Sequence, residues 1–296
     1  MPVPSRPGYL LLVLGVAAAC RSDRGQTSTP ADTAAAAAAA TTVPAAAPPG
    51  EMIHVVATDF KFKLPESIPA GAVTFHMMNE GKQLHHAQLV RLDDGKTVAD
   101  LAAAFKVEGP PPPWAHFLGG PNGTAPGSAA VSTAVLAPGQ YAVLCFIPGP
   151  DGVPHVAKGM LQGFRVVPSS AGSTLPAAAD TIRISDYDFA PSRPLTAGSH
   201  TILVQNDGPQ PHELVLLHLN PGKTVRDFGV WATSGGMKGP PPALPVGGVA
   251  VLDHGAGATF TADLAKGDYA FICFVPDAKD GKPHVEHGMA KQFRID

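Results

Sequence analysis

Cysteine is scarce in this chain: Cys20, Cys145 and Cys273 are the only three in 296 residues. Cys20 directly follows an expected leader segment, so a single pair remains, and bridging it would need two distant strand ends to meet within disulfide reach. Charge is also scarce, at 15% of residues with a net of −3. There is no basic stripe or polybasic tail, which excludes nucleic acid as the natural partner. The apolar run Tyr9–Ala19 is too short to span a bilayer and suits the core of an export signal. The "GKT" triplets at Gly95 and Gly222 lack the glycine five residues earlier that a phosphate loop requires.

What is abundant points elsewhere. Hydrophobic residues reach 45%, enough for packed cores, and glycine and proline number 32 each. That combination favours turn-rich β structure over long helices. The leader, residues 1–19, ends in small residues before Cys20. It resembles a bacterial lipoprotein signal, which implies acylation of Cys20 and anchoring in a membrane. Ala17-Ala18-Ala19 equally suits ordinary secretory cleavage, and either route exports the protein. Residues 20–50 are alanine, threonine and proline without periodicity, and are expected to be a disordered tether reaching roughly 100 Å when extended.

Beyond the tether the chain repeats itself. "IPAGAVTFHMMNEG" (68–81) matches "LTAGSHTILVQNDG" (195–208), and "GKTVADL" (95–101) matches "GKTVRDF" (222–228). "LAPGQYAVLCF" (136–146) matches "LAKGDYAFICF" (264–274), and Asp59-Phe60 is paired with Asp188-Phe189. The offset stays between 127 and 129 residues, so a whole domain has been duplicated. The expected domains are 51–168 and 180–296, joined by a linker at 169–179. Each carries short β-branched or aromatic runs bounded by turn residues, and one short helix, at 96–106 in the first copy and from Lys223 in the second. The expected fold class is all-β, two tandem Greek-key sandwiches.

The chemistry lies in one sentence written twice. "CFIPGPDGVPHVAKGM" runs from Cys145 to Met160, and "CFVPDAKDGKPHVEHGM" from Cys273 to Met289. A strand-opening histidine precedes each, His85 in "GKQLHHAQL" and His212 in "GPQPHELVL". Each copy therefore orders His, Cys, His and Met: His85, Cys145, His155 and Met160, then His212, Cys273, His284 and Met289. Two imidazoles, a thiolate and a weak thioether suit copper in both its oxidation states. Zinc would accept the cysteine and histidines, but a lone methionine is a poor zinc ligand. His86 is ambiguous beside His85, yet its counterpart is Glu213; His287 lies inside the second motif, yet its counterpart is Lys158. The remaining histidines, Trp114 and Trp231 read as surface or packing residues, and Asn122-Gly-Thr as a chance match to a glycosylation sequon.

The ordered set resembles the type 1 copper site of cupredoxins, and the long loop "C…P…DG.PHV..GM" is similar to that of blue-copper domains related to copper nitrite reductase. The resemblance implies a β-sandwich, one copper per domain, electron transfer, and a redox partner or copper donor and acceptor. In the enzymes of that group a histidine beside the cysteine leads to further coppers. Here the neighbours are Leu144 and Phe146, Ile272 and Phe274, and no His-x-His occurs. The expectation is therefore of no reductase or oxidase chemistry by this chain. Copper storage or delivery, and a metal-free interaction module, are the competing readings.

Overall fold

The computed structural model describes residues 51–106, 109–233 and 237–296. The expected signal peptide at 1–19, the tether at 20–50 and the acylation site Cys20 lie outside the described residues. Within them the expected all-β architecture forms. The first copy contains β1 (Glu51–Thr58), β2 (Lys61–Lys63), β3 (Ser67–Pro69), β4 (Gly71–Asn79), β5 (Gln88–Leu92), β6 (Ala115–Phe117), β7 (Ala129–Leu136), β8 (Gly139–Leu144) and β9 (Leu161–Val167). The second contains β10 (Asp180–Ser185), β11 (Asp188–Pro191), β12 (Gly198–Asn206), β13 (His212–Leu219), β14 (Ala243–Leu252), β15 (Gly257–Leu264), β16 (Gly267–Ile272) and β17 (Ala290–Ile295). Pairing is mostly antiparallel, but β1 runs parallel to β4, β3 to β9, and β10 to β12.

Each copy is a sandwich of two sheets. In the first, β2-β1-β4-β7 faces β3-β9-β8-β5-β6; in the second, β11-β10-β12-β15 faces β14-β13-β16-β17. Alternating residues drive this layering. In β1, Ile53, Val55 and Ala57 are buried between exposed neighbours, the period-two pattern of a half-solvated strand. Helices α1 (Val98–Ala104) and α2 (Val225–Thr233) each cover the outer face of a second sheet. Leu101 packs there with Leu92, Ala142 and Leu144, and Phe228 with Leu217, Ala270 and Ile272. Thr97 caps α1 in a reciprocal box with Asp100, and Thr224 makes the same bonds with Asp227, satisfying otherwise orphaned N–H groups.

The two copies are fused through their edges. Strand β7 pairs with β15, so the two outer sheets become one sheet of eight strands. The register places Ser132 opposite Phe260, and these two residues are counterparts in the repeat. A second contact joins Pro121 to Val249, again counterparts. Like meeting like in antiparallel register is the geometry of a two-fold axis, here drawn within one chain. Gly120 and Gly248 make the close approach possible. Their φ values are +116° and +125°, and a Cβ there would fall 2.1 Å from the carbonyls of Ala87 and Leu214. Each glycine thus presses the interface segment onto the strand that follows a candidate ligand.

One element of the repeat alignment needs correction. Asp59-Phe60 corresponds not to Asp188-Phe189 but to Asp186-Tyr187. Both pairs occupy the turn between the first two strands of their copy, and Phe189 sits in β11 as Phe62 sits in β2.

Candidate metal centre

Cys145 lies immediately after β8 and Cys273 immediately after β16. The loop that follows folds back on its own backbone. Val156 N–H donates to the Cys145 carbonyl at 2.8 Å, His155 N–H to Ile147 at 3.0 Å, and Met160 N–H to the His155 carbonyl at 3.0 Å. A 3-10 turn spans His155–Lys158 and closes on Gly159 at φ 95°. The second copy repeats this, with Val285 bonded to Cys273, His284 to Val275 and Met289 to His284. Pro154 and Pro283 open the turns, where a missing N–H costs nothing.

The upstream histidines arrive on a turn fixed by buried asparagines. Asn79 donates to the carbonyls of Gln83 and Thr124 and accepts from Gly81 N–H. Asn206 does the same with Gln210, Leu252 and Gly208. Gly81 and Gly208 must lack a side chain: a Cβ would lie 2.8 Å from His85 Nε2 in one copy and 2.9 Å from His212 Nε2 in the other.

The side chains then converge. His85 Nδ1 lies 3.1 Å from His155 Nδ1, and Cys145 Sγ lies 3.5 Å from His155 Nδ1 and 4.0 Å from His85 Nδ1. In the second copy His212 Nδ1 lies 3.0 Å from His284 Nδ1, and Cys273 Sγ 3.5 Å from His284 Nδ1. Each trio of donor atoms fits within 4.8 Å. His85, Cys145, His155 and Met160, and their counterparts His212, Cys273, His284 and Met289, are all at 0% exposure. Both cysteines are free thiols. The carbonyls of Met160 and Met289 accept from Cys145 and Cys273 N–H, which ties the backbone of each methionine to its cysteine.

Residues outside the motif orient the rings. Asp59 Oδ1 accepts from His85 Nε2 at 3.0 Å, and Asp186 Oδ1 from His212 Nε2 at 2.7 Å. Gln83 Oε1 faces His155 Nε2 at 3.1 Å. In the first copy the Nε2 protons of His85 and His155 are committed outward, so the Nδ1 lone pairs point at one another; in the second His212 Nε2 is committed to Asp186, while His284 Nε2 is buried without a hydrogen-bond partner among the described residues. Two lone pairs about 3 Å apart repel unless a cation stands between them, and carboxylate-anchored imidazole is the usual support of a metal ligand. The residues present therefore fit a metal held by two Nδ1 atoms and one sulfur.

Burial sets the protonation states. It pushes the Cys145 thiol up to about 12, against smaller stabilisation by backbone N–H groups of His86 and Ile147. Burial, reinforced by the Glu213 carboxylate, raises the Cys273 thiol as well. Burial pushes His155 down to about 4, with His85 and Lys158 adding to the shift. His284 is likewise held at about 4 by burial and by His212. At neutral pH each pocket thus offers neutral imidazoles and a neutral thiol, and a metal entering it displaces the thiol proton.

Some residues fall outside the trios. His86 does not join His85; it is buried, and its Nε2 accepts from Phe146 N–H at 2.9 Å. His287 bonds Asp280 at 3.1 Å and, with Asp277 and Asp280, forms a separate group that could hold a metal at the rim of the second copy. Asn122 is 1% exposed and so is no surface sequon. The anchors Asp59 and Asp186 do not emerge from the motif, because each sits 26 residues before its histidine; the signal for them is an acidic residue recurring at that distance in both copies.

No family model matches this chain, and no curated protein does. Solved structures similar to it include copper proteins. An auracyanin from Roseiflexus castenholzii is 22% identical and covers 40% of this chain and 98% of its own, with a TM-score of 0.30. The copper nitrite reductase of Thermus scotoductus is 11% identical and covers 83% of this chain and 61% of its own, at 0.23. The blue copper oxidase of Nitrosomonas europaea is 11% identical and covers 83% of this chain and 86% of its own, at 0.23. The expectation of no reductase or oxidase chemistry is corrected by this finding: the similar structures that extend over 83% of the chain include enzymes.

Proposed function

We propose that this chain binds one copper ion in each half, through His85, Cys145, His155 and Met160 and through His212, Cys273, His284 and Met289, and carries single electrons. Copper is favoured over zinc by the donor set, because the thiolate and thioether suit Cu(I) while the imidazoles also accept Cu(II). The observation that carries the reading is the pair of facing Nδ1 atoms, 3.1 Å and 3.0 Å apart in the two copies, beside a buried thiol. Electron transfer is supported by rigidity. Each donor comes from a strand end or a loop locked by backbone hydrogen bonds, so little needs to move when one electron arrives. Bound copper supplies a one-electron couple; the protein supplies a fixed, water-poor cage around it.

In the same proposal the head stands outside the cytoplasm, acylated at Cys20 and held off a bacterial membrane, where it meets a redox partner or a copper donor or acceptor; the apolar run Tyr9–Ala19 before Cys20 supports this. The test is titration of purified protein with Cu(II). The expected result is an intense visible thiolate-to-copper band that saturates at two equivalents, with a reversible electrochemical wave. Tight binding without that wave would favour storage or delivery. No band and no bound copper would overturn the reading.

A further inference from the structure

The solvent face of the first copy's outer sheet carries four side chains that the trios do not use. Strands β1 and β4 run parallel, and their register sets His54 directly opposite His76. The two imidazole rings meet edge to face, with centroids 5.4 Å apart. Met52 lies two residues before His54 on β1, and Met78 two residues after His76 on β4. All four alternate with the residues that fill the core, Ile53 and Val55 on one strand, Phe75 and Met77 on the other. Met52 is 37% exposed and His54 is exposed, while His76 and Met78 are half-buried.

Packing does not account for this set. The second copy builds the same pair of strands, β10 and β12, in the same parallel sense. At the four equivalent positions it carries Ala179, Thr181, Leu203 and Gln205. Thr181 stands opposite Leu203 there, as His54 stands opposite His76. The fold therefore requires none of the four donors. Partners make a second contrast. His85, His116, His200, His212 and His287 each lie within 3.1 Å of an aspartate oxygen. Among the described residues no carboxylate pairs with His54 or His76, and each ring has the other as its neighbour. Burial holds the His76 imidazole below its usual value, and His54 adds to the shift, so the His76 ring is neutral at neutral pH.

We propose that His54, His76, Met52 and Met78 form an open surface site for a soft monovalent cation, Cu(I) or its analogue Ag(I). Opposite residues on neighbouring strands stand about 5 Å apart, so the two imidazoles close on one ion as a chelate. Each methionine is about 7 Å along its strand from a histidine, within reach of a flexible thioether side chain. The two methionines approach the histidine pair from opposite ends. Two imidazoles and two thioethers are neutral donors, and thioether sulfur favours Cu(I) while serving zinc poorly. The ion enters without displacing a proton, and no electron is exchanged. A site of neutral donors facing water holds its ion less firmly than a buried thiolate cage, which suits passing the ion on rather than keeping it. The inference stands independently of the copper reading of the trios.

Titration of the full chain with Ag(I), and with Cu(I) under anaerobic conditions, tests it. His54→Thr with His76→Leu places there the residue types of Thr181 and Leu203, a pattern the same fold already carries. Equilibrium dialysis with metal counting should show one equivalent fewer in that variant than in the parent protein. The difference is expected whether or not the trios fill, so failure here and failure of the trios are separate results. In the parent protein, NMR should show the His54 and His76 ring signals and the Met52 and Met78 methyl signals moving together as Ag(I) is added. This readout needs no variant, and so decides the matter even if a variant fails to fold. Met52→Ala with Met78→Gln should weaken Ag(I) binding at this site at least ten-fold. Equal metal counts in parent and histidine variant, or ring signals that do not move, overturn the site. Ring signals that move while the methyl signals stay, or an affinity within two-fold in the methionine variant, overturn its assignment to a soft monovalent ion.

Discussion

The first candidate metal centre sits near a cation and the second among carboxylates, although their donor residues match in kind and order. At the first, Lys158 lies 4.9 Å above the Phe60 ring, and Phe60 packs against His155. Gly149 occupies the loop where the second copy has Asp277. At the second, Asp277 Oδ2 lies 3.7 Å from His284 Nε2 and accepts from Tyr187 at 2.5 Å and from Gln210 at 3.0 Å. Glu213 adds a second carboxylate, which helps raise the Cys273 thiol. The duplication has thus held the donors constant while the charge around them diverged. A more anionic surround stabilises the higher oxidation state of a bound metal, so the two centres should differ in potential and not in ligation.

The largest effect expected from breaking this comparison is loss of one centre. Cys145→Ser should remove one visible band and one equivalent of copper and leave the second centre loaded, and Cys273→Ser should do the converse. Copper counting with absorption spectroscopy checks both. If either single variant loses both centres, the halves are not the separate cages described here. Next in size, Asp59→Asn and Asp186→Asn should each weaken copper binding at their own centre by about 10- to 100-fold, the usual cost of removing the outer partner of a ligating histidine. Equilibrium competition with a chelator measures it, and an unchanged affinity would show that the carboxylates do not orient the rings.

The smallest effect is the most specific to the difference between the halves. The second centre should have the lower reduction potential, and Glu213→Gln should raise it while shifting the first centre less. Spectroelectrochemical titration resolves the two steps. A single step in the parent protein, or a first centre that is the harder to reduce, would mean that the surrounding charge does not set the order.

The sequence made the donors legible because three of the four in each copy lie within one loop, where spacing alone limits their separation. The fourth was legible because duplication repeated it: His85 stood beside His86, and Glu213 in the other copy resolved the choice. The carboxylate anchors were hidden by a coincidence of composition. Asp188-Phe189 imitates Asp59-Phe60, and only the strand boundaries show that Asp186-Tyr187 is the true counterpart. The interface was hidden for a different reason. Strands β7 and β15 bury consecutive residues, Ser132 to Ala134 and Ala258 to Phe260, yet in the sequence an edge that pairs with a partner reads no differently from one that faces water. Asn122 shows the consequence, since a residue that matched a surface sequon is buried at the seam between the halves.

The central claim is that two equivalent buried trios each hold one copper ion. Anomalous diffraction at the copper edge from copper-loaded crystals tests it most directly. Two strong peaks are expected, one bonded to His85 Nδ1, Cys145 Sγ and His155 Nδ1, and one bonded to His212 Nδ1, Cys273 Sγ and His284 Nδ1. Peaks confined to the rim group of Asp277, Asp280 and His287, or no peak at either trio, would contradict it.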